Sequence, residues 1–297
     1  MYSGKLMDKL FLKNVLSEFP GKMITVNNHK IHVYTEGNGT PTLVFLSGGG
    51  TPSPMYDFKA LFSKMCDKYQ IAVLEKAGYG YSEITNVSRD IDTILFETRT
   101  VLKEANIEPP YILVPHSMSG IEALYWVQCF PEEIMAIIGI DSAFPPFYEK
   151  MNLNPILKKM KFISKIINEK LKCLLPIIAN GFPPIKYGVL NELDKKYCKA
   201  IIYHRIITND MINEGLMIKE NSKKIKQECL NKVPMLLFVS NGKGTGFNKN
   251  DWEKIIREYT KELNAEIIYF NVEHYIHDIL PEEISNKSKM FINKIRS

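Results

Sequence analysis

The chain has no close cysteine pair, no long apolar run and no compact block of one charge, and each absence removes a class of protein. Cys66, Cys129, Cys173, Cys198 and Cys229 are odd in number and widely spaced, with no C-x-x-C among them. That pattern fits reduced thiols in a cytoplasm and excludes a disulfide framework or a zinc knot. At the start, Leu6, Met7, Leu10, Phe11, Val15 and Leu16 recur at helical spacing with lysines between them. Such runs are too short for a signal-peptide core or a bilayer span. They predict a docked amphipathic helix over Met1–Phe19, with a membrane-surface helix as the second reading, and membrane association has no further support. Whether a longer natural N-terminus precedes Met1 stays open. The net charge of +5 comes from lysines scattered over helical stretches, which gives nucleic-acid binding little support. The segment Gly78-Tyr79-Gly80 lacks the third glycine of a dinucleotide fingerprint and runs through Ser82 into the loop residues Thr85 and Asn86. With no ligand cluster either, no metal and no organic cofactor is expected.

What is present is an ordinary globular composition, 45% hydrophobic and 24% charged, in 297 residues. That length suffices for one α/β core plus an insertion. Gly21 to Thr35 reads as two strands joined at Asn27-Asn28, with alternation through Lys30-Ile31-His32-Val33-Tyr34. Thr42–Leu46, Ile71–Leu74, Tyr111–Val114, Ala136–Ile140 and Met235–Val239 are continuous apolar runs, as strands buried on both faces require. Helical patterns over Asp57–Lys68 and Asp90–Ala105 alternate with them, and a last strand is expected over Glu266–Val272. Strand and helix in alternation predict a mostly parallel sheet covered on both faces. The alternation fails between Phe144 and about Lys232. There Pro145-Pro146, Pro155, Pro176 and Pro183-Pro184 punctuate helical pieces such as Ile156–Leu175 and Asp194–Ile207, and no buried strand is visible. Lys158, Lys159, Lys161, Lys165 and Lys172 on the first piece read as a solvated face before a ligand- or membrane-facing one. No internal repeat or low-complexity segment occurs.

Four segments carry chemistry. The strand Tyr111–Val114 breaks into Pro115-His116-Ser117-Met118-Ser119-Gly120 and continues as a helical pattern from Ile121, so Ser117 stands at a tight strand-to-helix turn. The strand Thr42–Leu46 runs into Ser47-Gly48-Gly49-Gly50, bare backbone that can aim N–H groups at a developing charge. Ile71–Leu74 is followed by Glu75-Lys76-Ala77-Gly78-Tyr79-Gly80-Tyr81-Ser82, and the last strand delivers His274, seven residues before Pro281. In this order the segments resemble the HG-type loop, the D-R-x-G-x-G-x-S loop, the G-H-S-M-G-G elbow and the G-H-x6-P segment of the α/β-hydrolase superfamily. The resemblance covers Thr25 to the end, apart from the middle insertion. It departs from the pattern at Ser47, where the family has histidine, at Pro115 and Ser119, where the elbow has glycines, and at Glu273, where glycine is frequent.

The resemblance implies an α/β-hydrolase fold, with residues 1–143 and 233–297 as the core and residues 144–232 as a helical cap. It makes Ser117 the nucleophile, where dehalogenases and epoxide hydrolases of the superfamily carry aspartate. It makes His274 the base, ahead of His277, and the backbone N–H groups of Met118 and Gly49 the oxyanion donors. Among the other histidines, His29 and His32 read as surface or structural residues, His116 as support for the turn, and His204 belongs to the insertion. The acid is missing from its usual place, because Ser240-Asn241-Gly242-Lys243-Gly244-Thr245-Gly246 contains no carboxylate. Asp141, at the end of the preceding strand, matches the minority arrangement of pancreatic-type lipases and is the first candidate. Asp251, otherwise a helix cap, is second, and an acid-less dyad third. The expected activity is a cytoplasmic serine hydrolase that cleaves a small-molecule ester, or an amide, through an acyl-enzyme. The alternatives are a non-catalytic ligand-binding or interaction protein of this fold and an acyltransferase or aminopeptidase using the same site. Substrate identity and oligomeric state are not legible.

Overall fold

The computed structural model describes residues 9–169, 175–231 and 233–296. The expected amphipathic helix therefore lies partly outside the described residues, as do Lys172, Cys173 and Lys232. Residues 9–19 of that span are described, and there the helix is shorter than expected: α1 (Lys9–Asn14) gives way to turns before Phe19.

The first hairpin pairs β1 (Lys22–Val26) with β2 (His29–Glu36). Asn27 and Asn28 make the turn with φ of 48° and 66°, the left-handed pair that lets a two-residue loop follow strand twist. Six further strands follow: β3 (Thr42–Leu46), β4 (Gln70–Glu75), β5 (Tyr111–Pro115), β6 (Ile134–Ile140), β7 (Met235–Val239) and β8 (Ala265–Tyr269). They form one eight-stranded sheet in the order β1-β2-β4-β3-β5-β6-β7-β8, parallel from β4 onward, with β1 and β2 antiparallel at one edge.

Side chains alternate across this sheet into two cores. Val44, Leu46, Leu113 and Leu237 face α4 (Ile91–Glu104), α5 (Gly120–Cys129) and α12 (Lys249–Thr260). Leu43, Phe45, Ile112, Val114 and Phe238 face Phe58, Phe62 and α14 (Pro281–Arg296). The segment expected as one helix over Asp57–Lys68 is instead α2 (Pro54–Asp57) and α3 (Lys59–Phe62) followed by turns. Pro54 starts the first turn. Bonds such as Leu61 N to Phe58 O and Met65 N to Phe62 O tighten the rest, so that Phe58, Leu61, Phe62 and Met65 all reach the core.

Between β6 and β7 lie α6 (Pro145–Lys150), α7 (Asn154–Glu169), α8 (Leu175–Asn180), α9 (Pro183–Lys186), α10 (Glu192–Arg205) and α11 (Asn209–Lys223), with no strand among the described residues. The helix expected over Ile156–Leu175 spans α7, five undescribed residues and the start of α8. Met55 and Tyr56 of α2 and Tyr81 of the loop after β4 pack against Ile185, Leu190, Ile201 and Ile202 of this segment. Asp210 accepts from both the N–H and the hydroxyl of Thr85, at 2.8 and 2.6 Å, and Asn221 Oδ1 accepts from Ile91 N at 2.9 Å. Lys158, Lys161 and Lys165 are exposed. Among the described residues no helix is long and apolar enough to cross a membrane.

Candidate active site

The strand ends at the carboxyl edge of the sheet bring the chemistry-bearing residues to one rim. Ser117 follows β5 with φ of 54°, a left-handed conformation that costs an L-residue about 1–2 kcal/mol and is held by its surroundings. The Ser119 hydroxyl donates to Leu46 O at 2.6 Å and accepts from His116 N at 3.0 Å, while Ala143 N donates to Ser117 O at 2.8 Å. A Cβ on Gly120 would meet Ala143 O at 2.3 Å, and one on Gly48 would meet Ser117 Cβ at 3.0 Å. Gly120 is therefore required by close approach to backbone, while a side chain at Gly48 would crowd Ser117.

The glycine loop runs beside the elbow. Gly49 is exposed, Gly50 half-exposed, and a Cβ on Gly50 would meet nothing within 4 Å. Gly50 N donates to Tyr79 OH at 3.1 Å, so the third glycine amide is engaged. Met118 and Ser117 are half-buried.

Asp141 closes β6, again with a left-handed φ of 47°, and is fully buried. Its Oδ2 lies 2.5 Å from His274 Nδ1; its Oδ1 accepts from Ser240 N and Trp252 Nε1, each at 2.8 Å. Asp251 is not part of this group. It stands exposed in the first turn of α12, where Asn248 is the cap and accepts from Asp251 N at 3.0 Å. The capping role expected of Asp251 thus belongs to Asn248, because the helix begins three residues earlier. Among the described residues no hydrogen bond joins Ser117 to His274.

Three imidazoles cluster beside the elbow: the His116 ring is 4.6 Å from that of His274, tilted by 35°, and 4.7 Å from that of His277, edge-on at 70°. Burial first, then these two neighbours, hold the His116 imidazole well below its ordinary pKa, so it is neutral. His277 Nε2 is 3.2 Å from Asp57 Oδ2. Asp57, His116 and His277 thereby bring ligand-type atoms within 4.8 Å of one another, a grouping with no sequence spacing to announce it. His29 and His32 are buried and pair with Glu97 and Glu75, at 3.0 and 2.9 Å. His204 Nε2 lies 2.7 Å from Leu12 O, away from the rim.

Two further arrangements escaped the sequence. Glu273 accepts from Lys186 at 2.8 Å and from the Tyr187 hydroxyl, which ties the His274 loop to α9 and its C-cap residue. The Lys186 and Tyr187 bonds pull its carboxyl down to about 2. An open cleft of about 410 Å³ between α9 and this loop has His274 in its wall. On the opposite flank, Glu214 of α11 accepts from Tyr79 OH at 2.6 Å and from Lys76, which also donates to Ser47 O at 3.3 Å. Glu214 so braces both ends of the glycine loop. Nearby Glu122 is pushed up to about 7 by burial, against the pull of Lys76. The pairings of Glu273 and of Glu214 join residues more than eighty positions apart, and no local pattern signals them.

No family model matches the chain. The uncharacterized protein YbdG of Bacillus subtilis (strain 168) is 34% identical over 284 residues, which cover 93% of this chain and 86% of YbdG. A Bacillus megaterium epoxide hydrolase solved with an inhibitor superposes with a TM-score of 0.70 at 18% identity, covering 92% of this chain and 100% of that one. A serine hydrolase involved in carbazole degradation, the CarC enzyme, gives 0.61 at 12% identity, with coverage of 93% and 99%. With the strand order and the elbow conformation already established, the chain has the α/β-hydrolase fold and belongs to one family with YbdG.

Proposed function

We propose that the protein is a serine hydrolase acting on small-molecule esters or amides through an acyl-enzyme. The observation that carries the reading is the pairing of His274 with Asp141 on the rim that also bears Ser117 in a left-handed turn. Asp141 would fix the imidazole with its proton on Nδ1, which leaves Nε2 as the base for the serine hydroxyl. The separation of Ser117 from His274 is compatible with this role, since such bonds are often loose without substrate and tighten in the reacting complex. The N–H groups of Met118 and Gly49 would receive the oxyanion. A serine at this position disfavours the alkyl-ester chemistry of the superfamily members that carry aspartate. The helices between β6 and β7 would act as the cap over the site, since they pack on Met55, Tyr56 and Tyr81 and hold Glu273 beside His274. With no membrane-crossing helix among the described residues, a cytoplasmic enzyme is the simplest setting.

A fluorophosphonate probe tests the assembled site, because the serine reacts only when base and oxyanion donors are both in place. We expect one label per chain, at Ser117, abolished in Ser117→Ala. Folded protein that stays unlabelled would favour a ligand-binding role on the same fold.

A further inference from the structure

The loop after β7 holds no carboxylate; what it does hold is Lys243, set between Gly242 and Gly244. Those glycines have φ of 78° and 99°, so the chain turns sharply on either side of the lysine. The turn fastens it to the candidate base. His274 N donates to Lys243 O at 3.0 Å, and a Cβ on Gly244 would lie 3.2 Å from His274 Cβ. Lys243 and His274 both line the open cleft of about 410 Å³ between α9 and the His274 loop. A cleft of that size admits a small molecule.

Three charged side chains stand in its wall: Lys186, Lys243 and Glu273. Glu273 is already met, since its Oε1 accepts from Lys186 Nζ at 2.8 Å and from the Tyr187 hydroxyl. Lys243 Nζ lies 3.6 Å from Oε2, beyond hydrogen-bond reach, and its side chain is 76% exposed. Among the described residues no other carboxylate lies within 4 Å of that ammonium. Two ammonium groups against one carboxylate leave the wall a single positive charge in surplus, and Lys243 carries it. Ile178, Phe182 and Pro183 add an apolar surface on which a hydrocarbon body can lie.

We propose that Lys243 is a specificity-determining residue, and that the cleft takes esters or amides in which a hydrocarbon spacer separates the scissile bond from one carboxylate. The proposal rests on the serine-hydrolase reading and adds the substrate class to it. The surplus matches a monocarboxylate. A phosphate dianion would be left half-neutralised, and a cationic substrate would be repelled. Lysine suits the task because its ammonium, a point charge on a flexible four-carbon stem, can follow a carboxylate over several spacer lengths. Its own carbonyl, bonded to His274 N, keeps that stem rooted beside the base.

The test pairs p-nitrophenyl monoesters of adipic, pimelic and suberic acids with the hexanoate, heptanoate and octanoate esters. These spacers are too long for the free carboxylate to attack its own ester readily. A second pair, 4-acetoxybenzoate and its methyl ester, places the charge on the alcohol side. At about 20 mM salt, kcat/KM should favour one or more charged members by about fivefold or more, chiefly through KM, and about 0.5 M salt should erase the preference. Lys243→Gln should bring the charged-to-neutral ratio down to about one, and Lys243→Glu should push it lower still. Lys254→Gln, an equal loss of charge on α12 where the side chain is 61% exposed, should leave the ratio where it was. If a Lys243 variant does not fold, the salt series on the unaltered protein still decides. Ratios at or below one for every pair at low salt, or a preference that Lys243→Gln leaves intact, overturn the proposal when the fluorophosphonate still labels Ser117. Absence of labelling instead removes the hydrolase reading on which the proposal stands.

Discussion

Asp141 and Asp278 are two buried carboxylates in the same rim, and they differ in everything but burial. Asp141 receives an imidazole, a backbone N–H and an indole N–H, all within 2.8 Å. Asp278 receives nothing. The contrast teaches that desolvation sets only the cost, while donors decide what a carboxylate can do. Three fixed donors make Asp141 suited to orienting one ring of one tautomer. A carboxyl with none is suited to changing state when a partner arrives. The backbone repeats the distinction: Asp141 sits in a left-handed conformation that its bonds hold in place, whereas Asp278 lies in a short helical turn, α13 (Ile276–Ile279), with ordinary geometry.

The comparison can be broken first at the histidines attached to each side. His274→Ala should lower kcat on an activated ester by about three powers of ten or more while the circular dichroism spectrum is unchanged, as loss of a triad base does. His277→Ala removes the partner of Asp57 and should cost far less in kcat. Steady-state kinetics giving the reverse order would assign the base to the Asp57–His277 pair and invert the roles of the two flanks.

Next in size is the acid itself. Asp141→Asn keeps the shape but forces the imidazole toward the wrong tautomer, and we expect kcat to fall by about two to four powers of ten at neutral pH. Asp251→Asn, exposed in the first turn of α12, should change kcat by less than about threefold. Near-normal turnover in the Asp141 variant would mean that its three hydrogen bonds serve the fold alone.

How far the sequence already contained this contrast depends on the range of each interaction. Strands such as Thr42–Leu46 and Met235–Val239 are buried at every position and almost wholly apolar because both faces are covered, so they are legible from a few neighbours. The elbow is legible because the apolar strand, the small and polar residues Pro115 to Gly120 and the helical pattern from Ile121 follow one another directly in the chain. The meeting of Asp141 with His274 was expected only through the resemblance, which supplied the topology that a separation of 133 positions conceals. Trp252 as a donor to Asp141, Asp57 as partner of His277 and Glu214 as brace of the glycine loop were not legible at all. Each joins residues 111 or more positions apart, and helix or strand periodicity carries no information at that distance.

The smallest effect is the one that sharpens the comparison most. A carboxyl whose pKa is raised on folding stabilises the protein fully below its unfolded value near 3.8, and that contribution is lost as pH climbs toward the raised folded value. Over that window the unfolded chain ionises while folded Asp278 holds its proton, at about 1.4 kcal/mol per pH unit. Asp278→Asn removes the proton from the balance. The variant should therefore melt with the parent protein near pH 4 and above it by a few degrees near pH 8, followed by differential scanning calorimetry at several pH values. A pH-independent offset, or a lower melting temperature at pH 8, would mean that Asp278 is as well satisfied as Asp141 and would dissolve the contrast.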